Sequence, residues 1–425
     1  MHGRLAVVTL VALVASPVGA QGEAYVDRTD IWKATGIGGA ESPPPGPFEP
    51  VVSVLPAVGY NPSAKWMLGA LGSVGMYLGD PATTTISNGS ALLLVSTNRQ
   101  IIATVNAVVM TARNDWELQS DWRLLYYNQD TFGLGTSTAP INSGITIGGL
   151  GSTAPVPGGQ PIDFNLIRLH QVAMRRVWSA LYVGGGVRYD RYFGIDDRRL
   201  DLVASPPVVT SHYAYSTFFG FTPEAYTVSS VSLTALYDDR DSTINPYRGT
   251  YASLDYRMSP AWLGSSKSST HLYGEARHYF SLSRAVPRNV LAVWVLGQTV
   301  FTGDVPYLAL PAEGWDAKNA TGRGFVQGRF RGPTELYAEA ELRFRITPNG
   351  LVGGTVFANA RSFSSPAVAV PGFQSSGESL LHTLVPAGGF GLRFMLSRAT
   401  RNNVRVDFGF GQGSVAFYLG LGEVF

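Results

Sequence analysis

The sequence predicts an all-β transmembrane barrel of the outer-membrane type, an antiparallel sheet of about sixteen strands, and three observations predict it. Charged side chains make up 15% of the 425 residues while Gly (49) and aromatics (12%) are plentiful, whereas soluble domains carry roughly 25% charge. Beyond the first twenty residues no apolar run reaches the roughly 18 positions that a membrane helix needs. What recurs instead is alternation with a period of two, placing carboxylates interleaved with arginines on one face and apolar side chains on the other.

The chain opens MHGRLAVVTLVALVASPVGAQG. His2 and Arg4 form a short positive region, Leu5 to Ala15 an apolar run, and Val18-Gly19-Ala20 a small-residue cleavage site, so residues 1–20 read as a signal peptide with a mature start near Gln21. Ser16-Pro17 ends the apolar run at about half of the 20 or so residues a spanning helix takes. Gln21 to Pro50 carries ESPPPGP, whose prolines favour extended, unpaired backbone. This stretch reads as a periplasmic tether or plug strand.

From Val51 to Phe425 the chain reads as barrel. Turn signals bound strands at Val51–Tyr60, Ala64–Leu78, Gly89–Thr97, Ile101–Thr111, Asp115–Asn128, Phe164–Met174, Trp178–Arg191 and Tyr226–Asp238. The second half continues with Thr250–Ser259, Thr270–Leu282, Asn289–Val300, Glu335–Ile346, Leu351–Phe363, Val385–Leu396, Asn403–Gly411 and Val415–Phe425. The twelfth strand is the clearest. Glu335, Tyr337, Glu339, Glu341, Arg343 and Arg345 share one face; Leu336, Ala338, Ala340, Leu342, Phe344 and Ile346 share the other. Similar faces recur at Asp121 and Arg123 beside Trp122 and Leu124, at Glu275 and Arg277 beside Ala276, and at Arg405 and Asp407 beside Val404, Val406 and Phe408. Such charges suit a water-filled lumen and such apolar faces suit lipid.

The connections agree with this reading. Odd-to-even joins include the long ones, near residues 129–163, 192–225, 301–334 and 364–384, while even-to-odd joins such as 175–177 and 347–350 are mostly brief. An even strand number puts both ends on the short-turn, periplasmic side. The last strand alternates Val415, Phe417, Leu419, Leu421 and closes on Phe425, a terminal aromatic of the kind that barrel-assembly machinery is expected to bind by strand addition.

Three motifs stand out on these strands. Gly322-Arg323-Gly324-Phe325 lies in the long sixth outer loop; Tyr237-Asp238-Asp239-Arg240-Asp241 with Asn245-Pro246-Tyr247-Arg248-Gly249 forms a periplasmic turn; Arg405-Val406-Asp407-Phe408-Gly409 opens a closing hairpin that runs on to Phe425. Together, in this order, they resemble the bacterial surface antigen superfamily, which contains the BamA insertase, TamA and the two-partner-secretion transporters. The first is similar to its (V/I)RG(F/Y) lid-loop motif, the second to its D-x-R-D, N-P, x-x-G turn. The resemblance covers Val51 to Phe425.

The resemblance implies that Arg323 folds into the lumen and pairs with an acidic residue on neighbouring strands. The F-x-D partner position reads Phe357-Ala358-Asn359 here, and Asn359 supplies no charge. Glu339 or Glu341, both inward by parity, would then substitute. Members of this family that insert or translocate proteins carry periplasmic polypeptide-transport-associated (POTRA) domains, whereas only the stretch from Gln21 to Pro50 stands between signal and barrel, so the chain resembles a branch that lacks them. Implied partners are outer-membrane lipid, barrel-assembly machinery during biogenesis, client proteins and a separate periplasmic partner.

Enzymatic chemistry is not indicated. The sequence holds no G-x-S-x-G elbow, no phosphate-binding G-x-x-x-x-G-K-[ST] loop and no H-E-x-x-H helix. Zero cysteines exclude thiolate metal sites, and six scattered histidines lack ligand spacing. Asp238, Asp239 and Asp241 suggest calcium less than a turn in which Asp bonds its own backbone. A net charge of +2 leaves no nucleic-acid footprint. No cofactor is expected. Arg323, with its neighbours Arg329 and Arg331, is read as a lumen plug facing Glu339 and Glu341 rather than a solvated surface loop.

Pro56 removes a ladder donor from the first strand, and Gly420 and Gly422 leave the last without side chains to pack, so first-to-last pairing is expected to be weak. The resemblance implies assistance to the insertion or passage of protein or lipid at the outer membrane; a passive pore or structural surface barrel is the alternative.

Overall fold

A computed structural model describes residues 46–425 apart from 62, 138–145, 148–150, 153–155, 157, 287, 317–318, 349, 371–372 and 398–400. The expected signal peptide and nearly all of the proline-rich segment lie outside the described residues.

Sixteen strands form one antiparallel sheet in chain order. They are β1 (Val51–Asn61), β2 (Lys65–Met76), β3 (Ser87–Ser96), β4 (Ile101–Met110), β5 (Trp116–Thr131), β6 (Gln160–Trp178), β7 (Leu181–Asp197) and β8 (Ala225–Asp238). The second half comprises β9 (Gly249–Ser259), β10 (Ser269–Ser281), β11 (Val290–Gly303), β12 (Thr334–Arg345), β13 (Val352–Phe363), β14 (Val385–Ser397), β15 (Asn402–Gly411) and β16 (Ser414–Leu421). Each matches one expected strand. The sheet curls until β1 and β16 lie side by side, with the Tyr60 and Phe417 rings 5.9 Å apart.

The alternation fixes which side is which. Arg123, Arg361, Glu339 and Glu341 are almost fully buried, whereas Leu68, Leu93, Leu124, Leu233 and Val356 are more than half exposed. Soluble proteins show the opposite. The apolar band that a water-soluble fold would hide is the lipid-facing wall of a transmembrane barrel. Among the described residues no helix is long and apolar enough to cross a membrane.

Two expectations at the strand ends need correction. Strands β5 to β7 run past their expected limits at the upper rim, where inward positions of β6 and β7 turn apolar. Ile162, Phe164, Tyr192 and Ile195 pack with Val305, Tyr307 and Leu308 of the sixth loop and with Ala214 and Tyr215 of a short helix, α1 (Ser211–Phe218). That helix lies in the loop between β7 and β8, and its N-cap Thr210 accepts from the Tyr213 amide at 3.3 Å. The second correction is at the C-terminal end. β16 stops at Leu421 rather than continuing to Phe425. Gly422 adopts φ +71, a left-handed conformation costly for other residues, and turns Glu423-Val424-Phe425 into the interior. Gly422 is thus a turn residue, not part of the seam, and the Phe425 ring is 1% exposed inside the barrel instead of outward on a strand.

The expected periplasmic turn spans residues 239–248 and folds over the short-turn rim. Arg240 donates twice to Asp238, at 2.9 and 2.7 Å, and lies over the Tyr251 ring. Asp241 accepts from the Tyr247 amide at 2.9 Å and from Arg401, in the turn before β15, at 2.8 Å. Thr243 accepts from Asn88 of β3 at 3.1 Å, Pro246 is buried, and Gly249 begins β9.

Candidate functional site

The loop between β11 and β12, residues 304–333, holds the largest group of functional candidates, and it crosses the lumen from wall to wall. On the β5 side, Arg123 donates to the Asn319 side chain at 2.6 Å and to the Asp316 carbonyl at 3.1 Å. Trp315 donates to Gln129 at 3.2 Å and packs edge-on to Tyr127. The turn between is held by the Asp316 carboxylate, which accepts from the Ala320 and Thr321 amides at 2.8 Å each.

On the opposite wall the chain reaches Arg323. Its guanidinium donates to Glu339 and Glu341 of β12 and to Asp407 of β15, the last at 3.2 Å, and lies 3.6 Å above the Phe357 ring of β13. Burial opposes charge on this group, but three carboxylates hold it protonated, well above its ordinary range. Asn359 takes a different part from a charged partner: its amide donates to the Arg323 carbonyl and to Glu339, both at 3.1 Å, and its oxygen accepts from Arg361. Arg361 in turn pairs with Glu313 of the loop and stacks on Phe325.

Gly324 sits at φ +112 against β14 and β15, where a Cβ would fall 2.8 Å from that of Ala387. Across from it, a Cβ on Gly409 would fall 2.6 Å from the Gly324 nitrogen. The inner face of β15 is therefore bare where the loop presses on it. From β16, Tyr418 donates to the Phe325 carbonyl at 2.9 Å and accepts from the Gly324 amide at 3.1 Å. Replacing Tyr418 with Phe leaves both loop groups without that partner and is expected to cost about 1–3 kcal/mol. A lower urea midpoint for the refolded barrel would register it.

The anchor continues toward the periplasm. Arg343 donates to Glu341 at 2.6 Å and to the Phe425 carbonyl at 2.9 Å; Arg393 donates to Asp407 at 2.6 Å and to Glu423 at 2.7 Å. Loop and C-terminal tail are thus two ends of one ion network. Ala320 from the loop and Phe425 from the tail also pack in one cluster with Trp294 and Tyr337.

A family model described as an Omp85 superfamily domain matches residues 212–425, which include every residue that Arg323 touches. The chain belongs to the Omp85 superfamily. Omp85 barrels are outer-membrane proteins, and this is one. Its fold is similar to that of BamA from Haemophilus ducreyi lacking POTRA domains 1-3, at 13% identity and TM-score 0.52, over 87% of this chain and 70% of that one. It is also similar to CdiB from Escherichia coli, at 10% identity and TM-score 0.50, over 87% and 62% of the two chains. This chain therefore spans under two thirds of that CdiB. None of the curated proteins matches the sequence.

Within this Omp85 barrel, strand parity puts Glu339 and Glu341 on the inner face, where Arg323, given a lumen position by the resemblance, meets them. The other two loop arginines differ from expectation. Arg331 is buried and donates to the Tyr307 and Leu310 carbonyls, at 2.9 and 3.4 Å, and Arg329 lies 4.1 Å from the Phe132 ring. Neither meets Glu339 or Glu341: Arg331 lies over the Tyr307 ring and Arg329 beside the Phe330 ring. Sequence reasoning missed Tyr418, Arg361, Glu313 and Arg393. Tyr418 was findable, as the inward neighbour of outward Phe417; the Arg361–Glu313 and Arg393–Glu423 pairs depend on where loop and tail enter, which periodicity does not encode. Pro56 lies in β1 opposite Ala70, and Gly420 in β16 opposite Arg405.

Proposed function

We propose that this barrel handles clients at the outer membrane, assisting the insertion or passage of protein or lipid, with its sixth loop as a plug anchored by Arg323 and with no catalytic step. Residues 1–20 act as the cleaved export signal, and a separate periplasmic partner delivers clients to the short-turn rim. The observation that carries the reading is the seam. Among the described residues no hydrogen-bonded ladder joins β1 to β16, although the two strands are neighbours, while every other adjacent pair is zipped. A barrel built only to conduct has no use for an unzipped pair of edges, because open edges are a liability in any sheet.

Reconstitution in proteoliposomes tests this. The wild-type barrel is expected to speed insertion of unfolded barrel clients, and the Tyr60→Cys/Phe417→Cys pair, in a chain with no other cysteine, is expected to lose that activity when oxidised and regain it on reduction. Steady ion or sugar flux without clients, indifferent to oxidation, would support a passive pore instead.

A further inference from the structure

A cluster on the short-turn rim takes no part in the lumen network. The turn between β4 and β5 and the end of β6 enclose a groove of about 340 Å³ lined by Thr111, Ala112, Asp115, Trp116, Arg175 and Arg176. Arg175 is on the lipid side of the sheet: its strand neighbours Val172 and Met174 are buried inward, so the alternation points Arg175 outward. Its cross-strand partners are Trp116 on β5 and Val183 on β7, both outward and exposed. Trp178, 77% exposed, follows three residues later.

The charges around this groove do not balance. Asp115 is shared by Arg113 and Arg176, at 3.3 Å each, so one carboxylate serves two guanidiniums. Arg175 makes no ion pair among the described residues. A lipid-facing arginine is costly at the bilayer midplane and nearly free of cost near the interface. Arg175 is within reach of the rim turn, and the exposed Trp116 and Trp178 are the residue type that settles at the head-group level. At that depth the group a guanidinium matches is a phosphate diester, taken bidentately.

We propose that Arg175, with Arg113, forms a head-group site for an anionic glycerophospholipid of the periplasmic leaflet, whose acyl chains run toward the bilayer midplane past Trp122, Leu169 and Val187. Arg175, together with an Arg113 that has only a share in the Asp115 carboxylate, favours a net-negative lipid over a zwitterionic one.

The test uses the full barrel in detergent micelles, with dioleoyl-phosphatidylglycerol as the probe and native mass spectrometry as the readout. Arg113→Gln/Arg175→Gln is expected to bind this lipid about tenfold more weakly, as loss of charge-assisted contacts predicts. Arg99→Gln, an exposed arginine in the opposite rim's turn, is expected to change nothing. Brominated phosphatidylglycerol should quench tryptophan fluorescence in wild type and less in the double variant. Equal binding by all three proteins, or equal binding of dioleoyl-phosphatidylcholine and phosphatidylglycerol by wild type, would overturn the proposal. Displacement of the lipid by inorganic phosphate at equal concentration would also overturn it, by reducing the site to a general anion patch.

Discussion

Replacing Arg323 with alanine is expected to produce the largest single loss in this barrel. The guanidinium stands against Glu339, Glu341 and Asp407, all nearly without solvent exposure. Removing one member of a buried ionic network leaves uncompensated charge, at a cost of about 3–5 kcal/mol. Here Glu341, Asp407 and Glu423 would keep Arg343 and Arg393, while Glu339 would be left with no ion pair among the described residues. The urea midpoint of the refolded barrel should fall, and single-channel current in planar bilayers should rise as the loop leaves the wall. Arg323→Lys keeps the charge without the fork that reaches three acceptors, so an intermediate loss is expected. Unchanged current together with an unchanged midpoint would remove the loop's role as a plug.

Phe425→Ala ranks next. The ring lies 5.2 Å from Trp294 and 5.4 Å from the Arg343 guanidinium, with 1% of its surface exposed. Truncating a buried phenylalanine costs about 3–5 kcal/mol, and the lower end is expected because lumen water can enter the space. Refolding in vitro isolates this packing effect from any reading of the residue by assembly machinery. Such a reading concerns the unfolded chain, since in the folded barrel the ring is inside. A midpoint within error of wild type would show that the tail adds nothing to the network.

The sequence made the wall legible and the contents of the wall less so. Period-two alternation is a local property of each strand, so Glu335 to Ile346 declared both its faces without help from the rest of the chain. Loop entry is set by non-local contacts. That Glu313 meets Arg361, or that Arg331 finds only carbonyls, depends on the path of residues 304–333 across the lumen. The tail misled for a related reason: Val415, Phe417 and Leu419 alternate correctly, but one glycine at 422 redirects the last three residues. Asn359 marks the limit of motif reading. The missing charge at that position is offset by Asp407, two strands away, which no local pattern joins to it.

The anchor of the sixth loop also has an order in time. Arg323 is 16 residues from Glu339 but 84 from Asp407, and Gly324 is 94 from Tyr418. Contacts close in sequence form ahead of distant ones. A chain folding from its N-terminal side would tether the loop to β12 early and seat it only when the final hairpin arrives. A seated loop is then a record that the barrel has been completed.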